Sequence, residues 1–224
     1  MNTTSHNDSA PANTAGISII IPAYNAEATI QRCIESVLKT GYAPLEVIVA
    51  DDASTDGTAG IVADIAAMVS ERVHLVSLDS NGGPARARNF GAAKAKYSYL
   101  FFLDSDTKML PDALEHFITR ILEADAVCGH YHWQPLNDGP VAWYKSLFNY
   151  YLFSRQGVFE HDVFLGSAAG IRREVFEKTG GYDASLNGVW ITRTRNSGTG
   201  YRKTTAFSSI LQFPSATISP ILAS

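Results

Sequence analysis

Short runs of β-branched and aromatic residues alternate with helically spaced apolar positions from Ile17 to about Glu123. Ile17-Ser18-Ile19-Ile20-Ile21 stops at Pro22 and predicts a buried strand; Ile30, Cys33, Ile34, Val37 and Leu38 then predict a helix that ends near Gly41. A strand over Leu45–Ala50 precedes a helix carrying Ile61, Ile65 and Met68, and a strand over Val73–Leu78 precedes a helix over Ala85–Ala95. The run from Tyr97 to Leu103 is a fourth strand, and Pro111 opens a helix through Leu122, since proline suits a first helical turn. Strands alternating with helices predict an α/β domain: a mostly parallel central sheet with helices on both faces. Right-handed crossovers place the carboxyl ends of these strands on one edge.

Polar residues collect at that edge. Pro22-Ala23-Tyr24-Asn25 follows the first strand, Asp51-Asp52 the second, Asn81-Gly82-Gly83 the third and Asp104-Ser105-Asp106 the fourth. Open α/β sheets bind ligands outside their carboxyl ends. Two carboxylates as close as Asp104 and Asp106 repel each other unless a cation or proton lies between them, and such oxygen ligands suit Mg²⁺, Mn²⁺ or Ca²⁺. An Asp-rich turn accounts for this tripeptide taken alone, because Asp and Ser favour turns. Four such strand ends together predict a crevice for a nucleotide, with a metal site able to hold a diphosphate.

Composition narrows the class. At 224 residues, 46% hydrophobic and 18% charged, the chain fits one soluble globular domain. A net charge of −4 supplies no basic field for nucleic acid. Cys33 and Cys128, the only cysteines, make no disulfide scaffold, so a reducing cytoplasm is the simplest compartment. Residues 1–16 lack the basic and apolar regions of a signal peptide and read as a disordered tail. No apolar stretch approaches the roughly 18 residues of a spanning helix, so membrane contact would be peripheral, at the inner face of the membrane.

With these residues in view, the chain resembles the family 2 glycosyltransferases of the GT-A fold from about Ser18 to Gly188. The segments that carry the resemblance are S-I-I-I-P-A-Y-N-A-E, V-I-V-A-D-D-A-S-T-D-G-T, N-G-G-P-A-R-A-R-N-F-G, Y-L-F-F-L-D-S-D and F-L-G-S-A-A-G-I-R-R-E-V-F-E-K-T-G-G-Y-D. Ala53 departs from the family, which usually has Gly after the acidic pair. The resemblance implies an inverting, metal-dependent transferase that takes a nucleotide-diphosphate sugar as donor and a saccharide or lipid-linked hydroxyl as acceptor. It implies a divalent cation, Mg²⁺ or Mn²⁺, on Asp106 and on Asp104 directly or through water. The implied donor site takes in Pro22, Ala23, Tyr24, Asn25, Glu27, Asp51, Asp52, Asn81, Gly82, Arg86, Asp104 and Ser105. Within it Asp52, with Asp51 beside it, hydrogen-bonds the base or ribose, and Tyr24 walls the nucleoside. Arg86 and Arg88 open a helix where N–H and guanidinium groups can meet phosphate, and Arg86 is the preferred candidate, Arg88 fitting a solvated first turn equally well. A dinucleotide-dependent oxidoreductase would need G-x-G-x-x-G after the first strand, where Pro22 to Glu27 has no glycine; a nucleotidyltransferase would need a Gly-rich first loop.

Ile171 to Asp183 looks like the acceptor-side segment of the family, preceded by the small residues Gly166 to Gly170. Asp183 is a weak candidate for a sugar contact or a base. Cys128, His130 and His132 alternate along one strand face, which a packed strand explains better than Zn²⁺. The aromatic stretch from Trp143 to Phe159, near Lys145 and Arg155, could lie at a lipid interface; packing beneath the acceptor region explains it better.

The family continues with an acidic E-D-x-[DE] motif that supplies the general base. Here no Asp or Glu occurs from Ala184 to Ser224. The triplet straddling Trp190 and Ile191 must be GAT, an Asp codon. Reading on in that frame, with permitted codons chosen at ambiguous triplets, gives D-Y-E-N-S-E-F-G-H-R-L-S-E-N-Y. The expected organisation is therefore a tail (1–16), an incomplete GT-A domain (17–189) and an aberrant, poorly ordered tail (190–224) read as a frameshift, a genuine divergent or disordered tail being the alternative; a catalytically impaired nucleotide-sugar-binding remnant is the alternative to an active enzyme.

Overall fold

The computed structural model describes residues 15–136, 138–154, 159–161, 166–184 and 204–212. The first half follows the predicted alternation: β1 (Ile17–Ala23), α1 (Ile30–Leu38), β2 (Leu45–Asp51), α2 (Thr58–Met68), β3 (Val73–Ser77), α3 (Pro84–Lys94) and β4 (Tyr99–Leu103). A short β5 (Lys108–Met109) and α4 (Ala113–Ile121) follow, then β6 (Ala126–Tyr131), α5 (Pro140–Ser154), β7 (Phe159–His161), β8 (Ala168–Arg172), α6 (Arg173–Lys178) and β9 (Thr204–Gln212). Pro111 precedes α4, whose N-cap is Asp112, rather than occupying its first turn.

The strands form one sheet in the order β3-β2-β1-β4-β8-β6-β9-β5, with β7 beside β9. β3, β2, β1 and β4 run parallel, with Ile19 opposite both Val47 and Phe101. β8 then runs antiparallel to β4 and to β6. β1 leads outward through β2 to β3, and β4 returns to its other side, so the chain switches direction between β1 and β4. Crevices open at such switch points.

The central strands read as unbroken apolar runs because both faces are covered. Side chains alternate between them: Ile17, Ile19, Ile21, Val47, Val49, Phe101 and Leu103 pack with α1, α2 and α4, whereas Ile20, Ile48, Leu100 and Phe102 pack with α3 and α6. Phe101 meets Phe117 edge-on at 5.2 Å between ring centroids, and Phe117 lies where a side chain at Gly170 would have to go. Each such fully buried side chain contributes about 1.5–3 kcal/mol. Val62 is the buried apolar residue of α2; Met68, predicted on its buried face, is 80% exposed at the helix end.

At the opposite sheet edge, Glu46 is a buried carboxylate with its charge answered. Its Oε1 accepts the Ser18 hydroxyl at 2.5 Å and the Lys96 N–H at 2.7 Å, and Lys96 Nζ lies 3.7 Å from Oε2.

Thr204–Gln212 forms β9, parallel to β6, a strand that the alternation in the first half does not announce. The rest of the 190–224 segment lies outside the described residues. The aromatic stretch forms α5, which packs through Ala142 and Ser146 while Tyr144, Leu147, Phe148 and Tyr151 are exposed, so packing beneath the acceptor region does not describe these four side chains. Arg155 lies outside the described residues. Among the described residues no helix is long and apolar enough to cross a membrane.

Candidate active site

A cleft of about 510 Å³ opens at the carboxyl ends of β1, β2 and β4. It is lined by Pro22, Ala23, Tyr24, Asp52, Asn81, Gly83, Pro84, Ala87, Arg88, Asp104, Ser105 and Asp106. β1 and β2 each run further than the sequence predicts, to Ala23 and Asp51, which holds the next residues rigidly at the rim. Tyr24 stands half exposed at the mouth. The third loop and the start of α3 supply the other wall, with the face Pro84, Ala87 and Arg88 at helical spacing turned to the cleft.

The Asp104–Asp106 turn is fixed by its backbone. Asp104 N–H donates to Ser167 carbonyl at 3.2 Å, and the Asp104 carbonyl accepts the Thr107 N–H at 3.1 Å and hydroxyl at 2.7 Å. This leaves both carboxylates to the cleft. Arg88, 3% exposed, donates from Nη2 to Asp104 Oδ1 at 2.6 Å. Burial pushes the Asp104 carboxyl up from its ordinary value against the pull of Arg88. Burial, and then the negative charge of Asp104, push Asp106 up as well. Two carboxyl groups thus share the cleft with one ion-paired guanidinium, that of Arg88. That donor set fits a hard divalent cation bound by one or two carboxylates, with substrate phosphates and water completing its shell; no group of three metal-binding side chains occurs among the described residues. Arg88 takes Asp104 Oδ1, so Asp106 and the other Asp104 oxygen are the groups that would hold such a cation.

The acids after β2 have different work. Asp52, 2% exposed, accepts the N–H of Gly82 at 3.0 Å and of Gly83 at 2.7 Å, and so shapes the glycine loop while lining the cleft. Asp51, also buried, accepts the Ser54 N–H at 3.4 Å and does not line the cleft. Asn25 and Glu27 are not in the lining either. Asn25 Oδ1 accepts the Thr55 N–H at 2.9 Å and Glu27 Oε2 accepts the Gly57 N–H at 2.9 Å, which ties the first loop to the second.

Of the two arginines, Arg88 and not the preferred Arg86 lines the cleft. Arg86 is exposed and folds back to the Ser80 carbonyl at 3.0 Å, in the space a side chain at Gly82 would need. Arg88 is the buried cation of the cleft. Its signal in the sequence is its position four residues after Pro84, on the same helix face.

In the segment expected to face the acceptor, Gly180 and Gly181 both take positive φ, +82° and +73°, and turn the chain into Tyr182. Burial pushes the Tyr182 phenol up, and its ring lies 5.3 Å from the Arg88 guanidinium carbon. Asp183 is exposed and does not line the cleft. Cys128 is buried in the core beside β8. His132 Nδ1 accepts the Gln134 N–H at 3.1 Å, and the His130 side chain lies outside the described residues.

The family model for glycosyl transferase family 2 matches residues 18–180. The chain belongs to that family. Among its family 2 relatives, the glycosyltransferase GlyG of Streptococcus pneumoniae is 34% identical over 130 residues, 57% of this chain and 43% of that protein. The succinoglycan biosynthesis protein ExoO of Rhizobium meliloti is 41% identical over 110 residues, 49% of this chain and 31% of that protein. The matched stretch therefore spans less than half of either relative. Two solved structures share the fold. The mannosyltransferase PcManGT from Pyrobaculum calidifontis, in complex with GDP-Man and Mn²⁺, has a TM-score of 0.66 at 24% identity, covering 89% of this chain and 56% of that one. S. aureus TarS 1–349 in complex with UDP-GlcNAc has a TM-score of 0.66 at 19% identity, covering 93% and 62%. This family 2 chain thus has the GT-A fold, four parallel strands extended by antiparallel ones.

Proposed function

We propose that the cleft binds a nucleotide-diphosphate sugar through a divalent cation and that the site serves inverting transfer of the sugar to a saccharide or lipid-linked hydroxyl. The observation that carries this reading is the convergence of Asp104, Asp106, Asp52 and the glycine loop on one cleft at the switch between β1 and β4. In such a transfer the bond from the anomeric carbon to the phosphate oxygen breaks and its electron pair leaves with the nucleoside diphosphate. A bond from the acceptor oxygen forms on the opposite face, and the acceptor proton passes to a base. A cation on Asp106 would offset the charge gathering on the departing phosphate. Tyr24 would flank the nucleoside, and Asp52 would hold the Gly82–Gly83 loop where its backbone can approach the donor. The GDP-Man and Mn²⁺ of one structural neighbour and the UDP-GlcNAc of another support this choice of ligands.

Calorimetric titration with UDP and with GDP, each with and without Mn²⁺, tests the reading; Mn²⁺-dependent binding of one of them is the expected result, and no binding of either defeats it.

The absence of any Asp or Glu from Ala184 to Ser224 favours a second reading for turnover: donor binding without efficient transfer. Loss of a general base removes about 10²–10⁴-fold of rate. We read residues from Trp190 onward as a shifted frame. Restoring the frame should restore transfer; a present chain equally active would discard this reading. The exposed α5 residues Tyr144, Leu147, Phe148 and Tyr151, with Lys145 among them, support peripheral contact with a membrane carrying a lipid-linked acceptor. Co-sedimentation with anionic vesicles, lost on Tyr144→Ser/Phe148→Ser, checks that contact.

A further inference from the structure

Two consecutive side chains of α3 hold opposite ends of the site. Arg88 lines the cleft and grips Asp104. It also packs on the acceptor side: a Cβ added at Gly166 would lie 3.2 Å from the guanidinium carbon, and the Tyr182 ring lies 5.3 Å from it. Arg88 Nε is buried and has no acceptor among the described residues. Its neighbour Asn89 does not line the cleft. The Asn89 amide instead pairs with the Tyr182 backbone as a second strand would: Nδ2 donates to the Tyr182 carbonyl at 2.8 Å and Oδ1 accepts the Tyr182 N–H at 2.9 Å. A side chain at Gly181 would lie 2.7 Å from that Oδ1, so the turn is shaped around Asn89.

We propose that Arg88 and Asn89 are positioning residues that join the donor carboxylates to the Gly180–Asp183 turn, so that filling the cleft with a nucleoside diphosphate and a divalent cation stiffens the acceptor side. The inference rests on the transferase reading above. A phosphate beside the Asp104–Arg88 pair supplies further acceptors for the guanidinium and restricts its motion. Because Gly166 and Tyr182 pack on that guanidinium, and Asn89 is fixed to Arg88 through the helix, the restriction passes to the turn as reduced conformational freedom rather than as a displacement. Donor loading then prepares the surface against which an acceptor is placed, which favours transfer over hydrolysis of an unaccompanied donor.

Hydrogen exchange at the Tyr182 amide measures this directly, since that N–H is the one Asn89 accepts. In the full chain, saturation with UDP or GDP plus Mn²⁺, verified by calorimetry, should slow exchange about 5-fold or more, the lower end of ordinary site-to-site coupling. In Asn89→Ala, saturation should leave the exchange rate unchanged. In Asn89→Asp, which keeps an acceptor for the Tyr182 N–H, part of the slowing should return. Binding without slowing in the unaltered chain overturns the inference and leaves the donor site standing. Slowing that persists in Asn89→Ala overturns it too, and if that variant does not fold, the unaltered chain alone decides. Failure of both nucleotides to bind defeats the donor site and this coupling together.

Discussion

The rim after β1 and β2 and the rim after β4 are both acidic, yet their carboxylates do opposite things. On the first rim, Glu27 and Asp52 accept backbone N–H groups from Gly57, Gly82 and Gly83, so their charge is spent on loop architecture. On the second, Asp104 and Asp106 sit together with Arg88 as the buried cation, and burial raises both. Acidity at a strand end is therefore put to two uses: on the first rim the partners are backbone N–H groups, on the second a buried guanidinium and the open cleft.

The largest break in this comparison should come from Asp106→Asn. Cation-dependent nucleotide affinity should fall by more than about 100-fold, beyond what losing a supporting residue costs, while thermal stability without cation holds or rises. Calorimetry and a melting curve on the same sample check both halves, and an unchanged affinity would erase the distinction between the rims. On the first rim the pattern should invert. Asp52→Ala leaves the Gly82 and Gly83 N–H groups without their acceptor and should cost about 1–3 kcal/mol in denaturant unfolding, with Asp52→Asn recovering part of it.

A pH series sharpens the same point. Asp104 and Asp106 have folded values above their unfolded ones, so the folded chain holds more protons than the unfolded chain between those values. Their contribution to stability therefore declines as pH rises from about 4, the unfolded carboxyl value, through the raised folded values. Melting curves without cation should show this decline, and Mn²⁺ should offset it near neutrality and have no effect at the acid end. The smallest effect should come from Glu27→Ala, whose exposed bond to Gly57 makes its loss worth under about 1 kcal/mol with cation affinity unchanged.

The parallel half of the fold was legible because a strand buried on both faces is an unbroken apolar run, as in Ile17–Ile21 and Tyr99–Leu103. Asp104-Ser105-Asp106 was legible for a related reason: such a run ending in acids puts them at the carboxyl edge. The insertion of β8 antiparallel between β4 and β6 leaves no such trace, because Ala168-Ala169-Gly170-Ile171 is short and weakly apolar, and Gly170 is required by Phe117 from another element. Choosing Arg88 over Arg86 needs the helix face that meets Asp104, which is settled only in three dimensions. Asn25 and Glu27 were placed in the donor site by the segment they belong to, but their hydrogen bonds to the loop after β2 join residues 30 apart in sequence and leave no local pattern.

Ala53 holds a lever for protein engineering. Its φ of +59° is a left-handed conformation in which a methyl group crowds the backbone, a penalty of about 1–2 kcal/mol that glycine escapes. Ala53→Gly would give back part of that gain through a looser unfolded chain. The balance still favours a sturdier variant, and because residue 53 lies outside the cleft lining, such a variant could serve as the parent for grafting or crystallisation without altering the walls that meet the ligand.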